Sequence, residues 1–193
     1  MSVTVEKCLQ AWTNSLRQMK AKADIVFFGD SLTYYGDFAS VFPDKVVCNL
    51  GLRGDTIQGM IDRVEQVKLL EPKQVFLMAG INDVANCSPV QFGEKFKTLI
   101  CCLQEIIDSS TFYVQSMLPV NNVHYKISCT NNQIEACNKE IERITLENKL
   151  QFVDLYSEYL SKGGLQKDMS LDGIHLQKDA YKKWYYLLRH IQK

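Results

Sequence analysis

Excess charge of either sign, long apolar runs and histidine are what this 193-residue sequence has least of. Lys plus Arg number 22 and Asp plus Glu 22, for a formal net charge of zero. A balanced chain has no basic field to hold nucleic acid or an anionic membrane, so neither is an expected partner. The longest apolar runs fall far short of the roughly 20 residues that a membrane span needs. Met1 leads into a polar, charged segment with no apolar stretch, so no signal peptide is expected. No internal repeat, low-complexity tract or linker breaks the chain, and residues 1–193 read as one domain. The seven cysteines (Cys8, Cys48, Cys87, Cys101, Cys102, Cys129 and Cys137) include no C-x-x-C and no zinc-like Cys/His spacing. They are expected to be small apolar fillers kept reduced, at a cytoplasmic address, and no metal or cofactor is expected.

What the chain does have is short apolar runs alternating with helical periodicities. Ile25-Val26-Phe27-Phe28 runs unbroken into Gly29-Asp30-Ser31-Leu32. An unbroken run suits a strand covered on both faces, which is the habit of parallel sheets. Similar strands are expected over 45–50, 75–79, 112–118 and 150–154. Val5, Leu9, Trp12, Leu16 and Met19 fall on one helical face before the first strand. Ile57, Met60, Ile61, Val64 and Val67 make a second stripe, opened by Asp55 or Thr56 as cap. Phe92 to Ile107 after Pro89, Ile134 to Ile144, and Tyr181 to Leu188 mark three more helices. This alternation predicts a three-layer α/β/α sandwich around a mostly parallel, five-stranded, flavodoxin-like sheet.

Chemistry-bearing residues cluster just after the strands. Ser31 follows the first, Gly51-x-x-Gly54 the second, and Gly80-x-Asn82-Asp83 the third. The carboxyl ends of parallel strands share one edge, where open α/β sheets bind ligands. Asp172-x-x-His175 precedes the last helix, which can fold back over that edge. Locally, Ser31 reads as a nucleophile, a phosphate site or a helix cap. Together the segments supply a hydroxyl, a backbone N–H, an amide, an imidazole and a carboxylate, the parts that acyl transfer requires.

In this order the four blocks resemble the SGNH (GDSL-type) hydrolase family: Gly29-Asp30-Ser31-Leu32, Asn49-x-Gly51-x-x-Gly54-Asp55-Thr56, Gly80-x-Asn82-Asp83 and Asp172-x-x-His175. The resemblance implies an α/β/α sandwich and a serine esterase needing no cofactor. It assigns Ser31 as nucleophile, His175 as base and Asp172 as the acid that orients it. It also assigns the oxyanion hole to the Ser31 N–H, the Gly54 N–H and the Asn82 amide, with Gly51 as the alternative to Gly54. Only His124 and His190 compete with His175; one lies in a polar loop and the other near the C-terminus. Asp30 is expected to brace the turn that presents Ser31, and Asp83 to be structural. Tyr34, Tyr35, Met117, Leu118 and Val120 are candidate pocket walls.

The expected substrate is a small-molecule carboxylic ester, with short-chain or acetyl esters such as O-acetylated carbohydrates first. A lysophospholipase or thioesterase acting on longer chains is the alternative, as is a non-catalytic ligand-binding module.

Overall fold

The computed structural model describes residues 3–107 and 112–191, without the side chains of residues 3–6. Met1 and the expected core contact of Val5 therefore lie outside the described part. Strands β1 (Ile25–Gly29), β2 (Val47–Gly51), β3 (Gln74–Met78), β4 (Phe112–Gln115) and β5 (Gln151–Val153) form one sheet. Its order is β2-β1-β3-β4-β5 and every pairing is parallel. Strand succession reverses between β1 and β3, and the crevice at such a reversal is where sheets of this kind take ligands. In register, Gly29 stands beside both Gly51 and Met78, so the chain leaves β1, β2 and β3 at one level.

The apolar runs are continuous because each strand feeds two cores. Val26 and Phe28 point into one cluster with Leu50, Val75, Leu77 and Ala79. There they meet α3 (Ile57–Asp62), α4 (Glu65–Leu70), α5 (Pro89–Gln104) and α6 (Asn131–Glu147). Ile25 and Phe27 point into the other cluster with Phe76 and Met78, under α2 (Ser31–Tyr34), α7 (Leu155–Tyr159) and α8 (Tyr181–Ile191). That second face carries an aromatic ladder: Phe27 stacks on Phe38 at 3.8 Å and on Phe76 at 4.9 Å, and Phe76 on Tyr113 at 4.6 Å. Each fully buried Phe is worth about 2–3 kcal/mol by area transfer alone.

Several expectations need correcting. The stripe over 57–67 is two helices, broken at Arg63 and Val64, because the Arg63 side chain turns inward to buried acceptors. In α1 (Val3–Met19), Met19 is exposed. The expected Trp12 is half-buried and the expected Leu16 buried, and Thr13 joins them, its hydroxyl accepting from Gln66. β4 stops at Gln115 rather than continuing to Leu118. There the Asn138 amide pairs with both backbone groups of Met117, at 2.9 and 3.1 Å, as a neighbouring strand would. Cys8 and Cys101 are exposed, whereas Cys129 and Cys137 are buried fillers, and burial pushes the Cys137 thiol up to about 12. The Pro89 helix opens with a capping box between Ser88 and Gln91 and ends at Gln104, short of Ile107. No helix among the described residues is long and apolar enough to cross a membrane.

Candidate active site

Ser31 is the first residue of α2, and its placement follows from Gly29 and Asp30. A Cβ on Gly29 would lie 2.1 Å from Thr33 Oγ1 and 2.7 Å from the Met78 carbonyl oxygen. Only glycine lets β1 turn this sharply against β3. Asp30 caps the turn, its Oδ1 accepting from the Leu32 N–H at 2.9 Å. The side chain is fully buried, and Oδ2 has no partner among the described residues. Burial pushes this carboxyl up to about 7, with Asp55 adding like-charge repulsion. Asp30 thus braces Ser31, as expected.

The turn after β2 is held on three sides. Asn49 Nδ2 donates to the carbonyls of Thr33 and Gly36, and Asn49 Oδ1 accepts from the Gly51 N–H at 2.8 Å. Gly51 N–H is therefore engaged. Gly54 sits at φ +72°, in the left-handed region, with open space where a Cβ would be and no N–H partner among the described residues. Between the two glycines, Gly54 is the one with a donor to offer. Asn82 joins the same turn: its Nδ2 donates to the Asp55 carbonyl at 2.8 Å, leaving its second amide proton uncommitted. Asp83 has the structural place expected of it, its Oδ2 accepting from the Ile57 N–H at 3.0 Å.

Under this turn lies Arg63, which sequence reasoning missed. Its side chain is 2% exposed and contacts the Asp55 carboxylate at 2.7 Å. It also donates to the Leu50 carbonyl at 2.9 Å, to the Gly29 carbonyl at 3.1 Å and to Gln66 Oε1 at 3.3 Å. One guanidinium thus ties the ends of β1 and β2 to the Gly54 turn. Burial pushes Asp55 up and Arg63 down, and the contact between them opposes both shifts. The available signal was an arginine directly before Val64, a residue of the apolar stripe.

Asp172 and His175 arrive from the far end of the chain, on a loop pinned at Ser170. The Ser170 hydroxyl donates to the His175 carbonyl and accepts from the Gly173 N–H, both at 2.8 Å. Gly173 takes φ +88°, and its carbonyl accepts from the Asn121 N–H at 2.9 Å. Asp172 Oδ1 accepts from the backbone N–H groups of Ile174 and His175, which leaves Oδ2 for the His175 ring at 2.6 Å. Burial pushes the Asp172 carboxyl up, but the hydrogen bonds from the His175 ring and from these two N–H groups outweigh it. They hold the carboxyl below its ordinary value.

His175 Nε2 then stands 2.8 Å from Ser31 Oγ. A carboxylate only accepts, so Nδ1 carries a proton toward Asp172, and in that tautomer Nε2 faces the hydroxyl as acceptor. The arrangement can deprotonate Ser31 and return the proton, beside backbone and amide donors able to hold a developing negative charge.

Of the candidate pocket walls, Tyr35 lines a cavity of about 840 Å³ together with His175 and Asp172. Its ring stands edge-on to the imidazole at 5.6 Å, and Tyr34 is exposed next to it. Met117 and Leu118 are not walls of this cavity: they are 1% and 2% exposed and pack into opposite cores, as Val120 also packs inward. Among the described residues, no cluster of three or more His, Cys, Asp or Glu is placed to hold a metal ion.

Comparison with known proteins agrees with this architecture. The model of the GDSL-like lipase/acylhydrolase family matches residues 27–183. No functionally curated protein matches the sequence. Among solved structures, a GDSL-like lipase from Bacteroides thetaiotaomicron is similar at TM-score 0.78 and 20% identity, over 95% of this chain and 96% of that one. A lipase/acylhydrolase from Enterococcus faecalis reaches TM-score 0.75 and 21% identity, over 86% and 93%. A mutant of an acetyl-xylooligosaccharide esterase from Geobacillus reaches 0.71 and 17%, over 88% and 94%. With its four sequence blocks gathered on one sheet edge, the chain belongs to the GDSL-like lipase/acylhydrolase family and is a hydrolase of ester bonds.

Proposed function

We infer that Ser31 is the nucleophile of a serine esterase acting on short-chain acyl esters, with acetyl esters of carbohydrates as the first substrate class. The observation that carries this reading is the unbroken relay Ser31–His175–Asp172, at 2.8 and 2.6 Å, on the sheet edge where Gly54 and Asn82 keep uncommitted donors.

In the first step Ser31 Oγ attacks the ester carbonyl carbon while His175 Nε2 takes the hydroxyl proton. Asp172 holds the ring in the tautomer that makes this possible and stabilises the imidazolium that results. The carbonyl oxygen becomes an oxyanion, met by the N–H of Ser31, the N–H of Gly54 and the Asn82 amide. His175 then protonates the departing alcohol, leaving an acyl group on Ser31. Water, deprotonated by the same imidazole, releases the acid and restores the hydroxyl.

Support for a small acyl group comes from Met117 and Leu118, which are buried in the two cores and do not open onto the cavity beside His175. The similar fold from Geobacillus is that of an acetyl-xylooligosaccharide esterase, which agrees with the carbohydrate reading. One observation favours a longer acyl chain instead. Leu171, Tyr34 and Tyr35 are 73%, 51% and 46% exposed at or near the site and could hold a lipid tail.

A p-nitrophenyl ester series from acetate upward, followed by acetylated xylose, separates the two readings, and a steep rise of kcat/KM with chain length would sink the acetyl one. Labelling with a fluorophosphonate and mapping the adduct is expected to mark Ser31, and Ser31→Ala is expected to lose both label and at least ~10⁴-fold of kcat.

A further inference from the structure

The cavity that His175 lines is also lined by groups that acyl transfer itself does not use. Arg53 sits at the tip of the turn that ends in Gly54, a turn closed by the Asp55 N–H donating to the Leu52 carbonyl at 3.2 Å. Its guanidinium lies over the Tyr35 ring, 5.7 Å from the centroid, and Tyr35 is the ring set edge-on to His175. Arg53 is exposed and has no acid partner among the described residues. Lys178 lines the same cavity and also forms no ion pair there, while Lys182 is paired with Asp179 at 2.7 Å. The Tyr185 hydroxyl accepts from the Asp37 N–H, so its own proton is available to a ligand. Two carboxylates line the cavity: Asp172, engaged by His175, and Asp37. The uncommitted donors are thus an arginine, a lysine and a phenol.

The chemistry says which half of an ester this cavity receives. His175 must give its proton to the leaving oxygen, so the alcohol lies on the His175 side, while the carbonyl oxygen points to Gly54 and Asn82. The cavity is lined by His175 and not by Ser31 or Asn82. We propose that it is the leaving-alcohol subsite, and that Arg53, backed by Lys178, selects alcohols carrying a carboxylate or phosphate, such as acidic or phosphorylated sugars. This rests on the esterase reading and deepens it. Arginine suits the task because its planar fork meets either oxyanion with two parallel hydrogen bonds.

The test measures acetate release from 4-acetoxybenzoate, its neutral methyl ester and 4-acetoxyphenyl phosphate, each rate divided by that ester's hydroxide-catalysed rate. The wild-type protein is expected to prefer an anionic ester about tenfold in kcat/KM at low salt, mainly through KM. Arg53→Gln is expected to collapse that ratio toward one, and Arg53→Lys to keep part of it. Whichever anion gains more identifies a carboxylate or a phosphate as the group read. A wild-type enzyme indifferent to the charge, or an Arg53→Gln variant that slows neutral and anionic esters by the same factor, would overturn the subsite and leave the esterase standing. If no ester releases acetate, the short-chain reading falls and the subsite falls with it.

Discussion

The two halves of the site are built in opposite ways. The Ser31 half is made of turns leaving adjacent strands, locked by Gly29 and Gly51, which have no room for a side chain, and by a buried arginine touching several acceptors. The His175 half is a loop whose key acid side chain, Asp172, is 53% exposed and is held by hydrogen bonds within a few residues of itself. Position is therefore imposed by the sheet on one side and by a local turn on the other. The difference teaches that damage to the first half costs folding as well as rate, whereas loss of the exposed Asp172 carboxylate costs rate alone.

The sharpest way to break that contrast is Asp172→Asn. It keeps the size of the side chain but favours the wrong tautomer of His175, and kcat is expected to fall by up to about 10⁴-fold. Thermal unfolding should scarcely move, because the residue is half exposed; a large drop in Tm would show that the loop is part of the folding core.

Arg63→Met tests the other half. Removing the cation leaves the Asp55 carboxylate buried and unpaired, which is expected to destabilise the protein by about 3–5 kcal/mol. Urea denaturation measures that loss, and kcat should fall in whatever protein remains folded. A variant of unchanged stability would refute the role of Arg63 as the bracket of this edge. Asn82→Ala should cost about 3 kcal/mol of transition-state stabilisation, a hundred- to thousandfold in kcat with KM little altered. A raised KM with kcat unchanged would instead point to a binding role.

The last effect, read in stability against pH rather than in rate, concerns Asp30. Its carboxyl rises to about 7 in the fold, so between pH 4 and 7 the folded state holds a proton that the unfolded chain has released. Stability contributed by this group is thus full below pH 4 and declines as the pH rises to 7. Asp30→Asn cannot ionise and is expected to flatten that decline in a urea-against-pH series. An unchanged slope would place the titration elsewhere.

Much of this was legible in the residues. The unbroken apolar runs announced strands buried on both sides, and the helical stripes announced the layers around them. The four blocks named the reaction class and the residues that the structure brings together. Other features were not legible, and each for a physical reason. Helical periodicity over 57–67 could not show the break at Arg63, since the break serves acceptors on β1 and β2 that are distant in sequence. The end of β4 depends on Asn138, a polar residue of a remote helix standing in for a strand. Met117 and Leu118 looked like pocket walls because their place after a strand end was known and the direction of their side chains was not.

The sequence by itself determined the layering of this protein and the kinds of group available to its chemistry, because periodicity and residue type are local properties. Only the tertiary structure decided which donor is free. Gly51 and Gly54 are alike in the chain, and they part company because Asn49 occupies one N–H while the left-handed turn leaves the other open. The 2.8 Å between Ser31 and His175 was likewise a matter of tertiary structure, since 144 residues separate them and only the packed sheet and its closing loop bring them together.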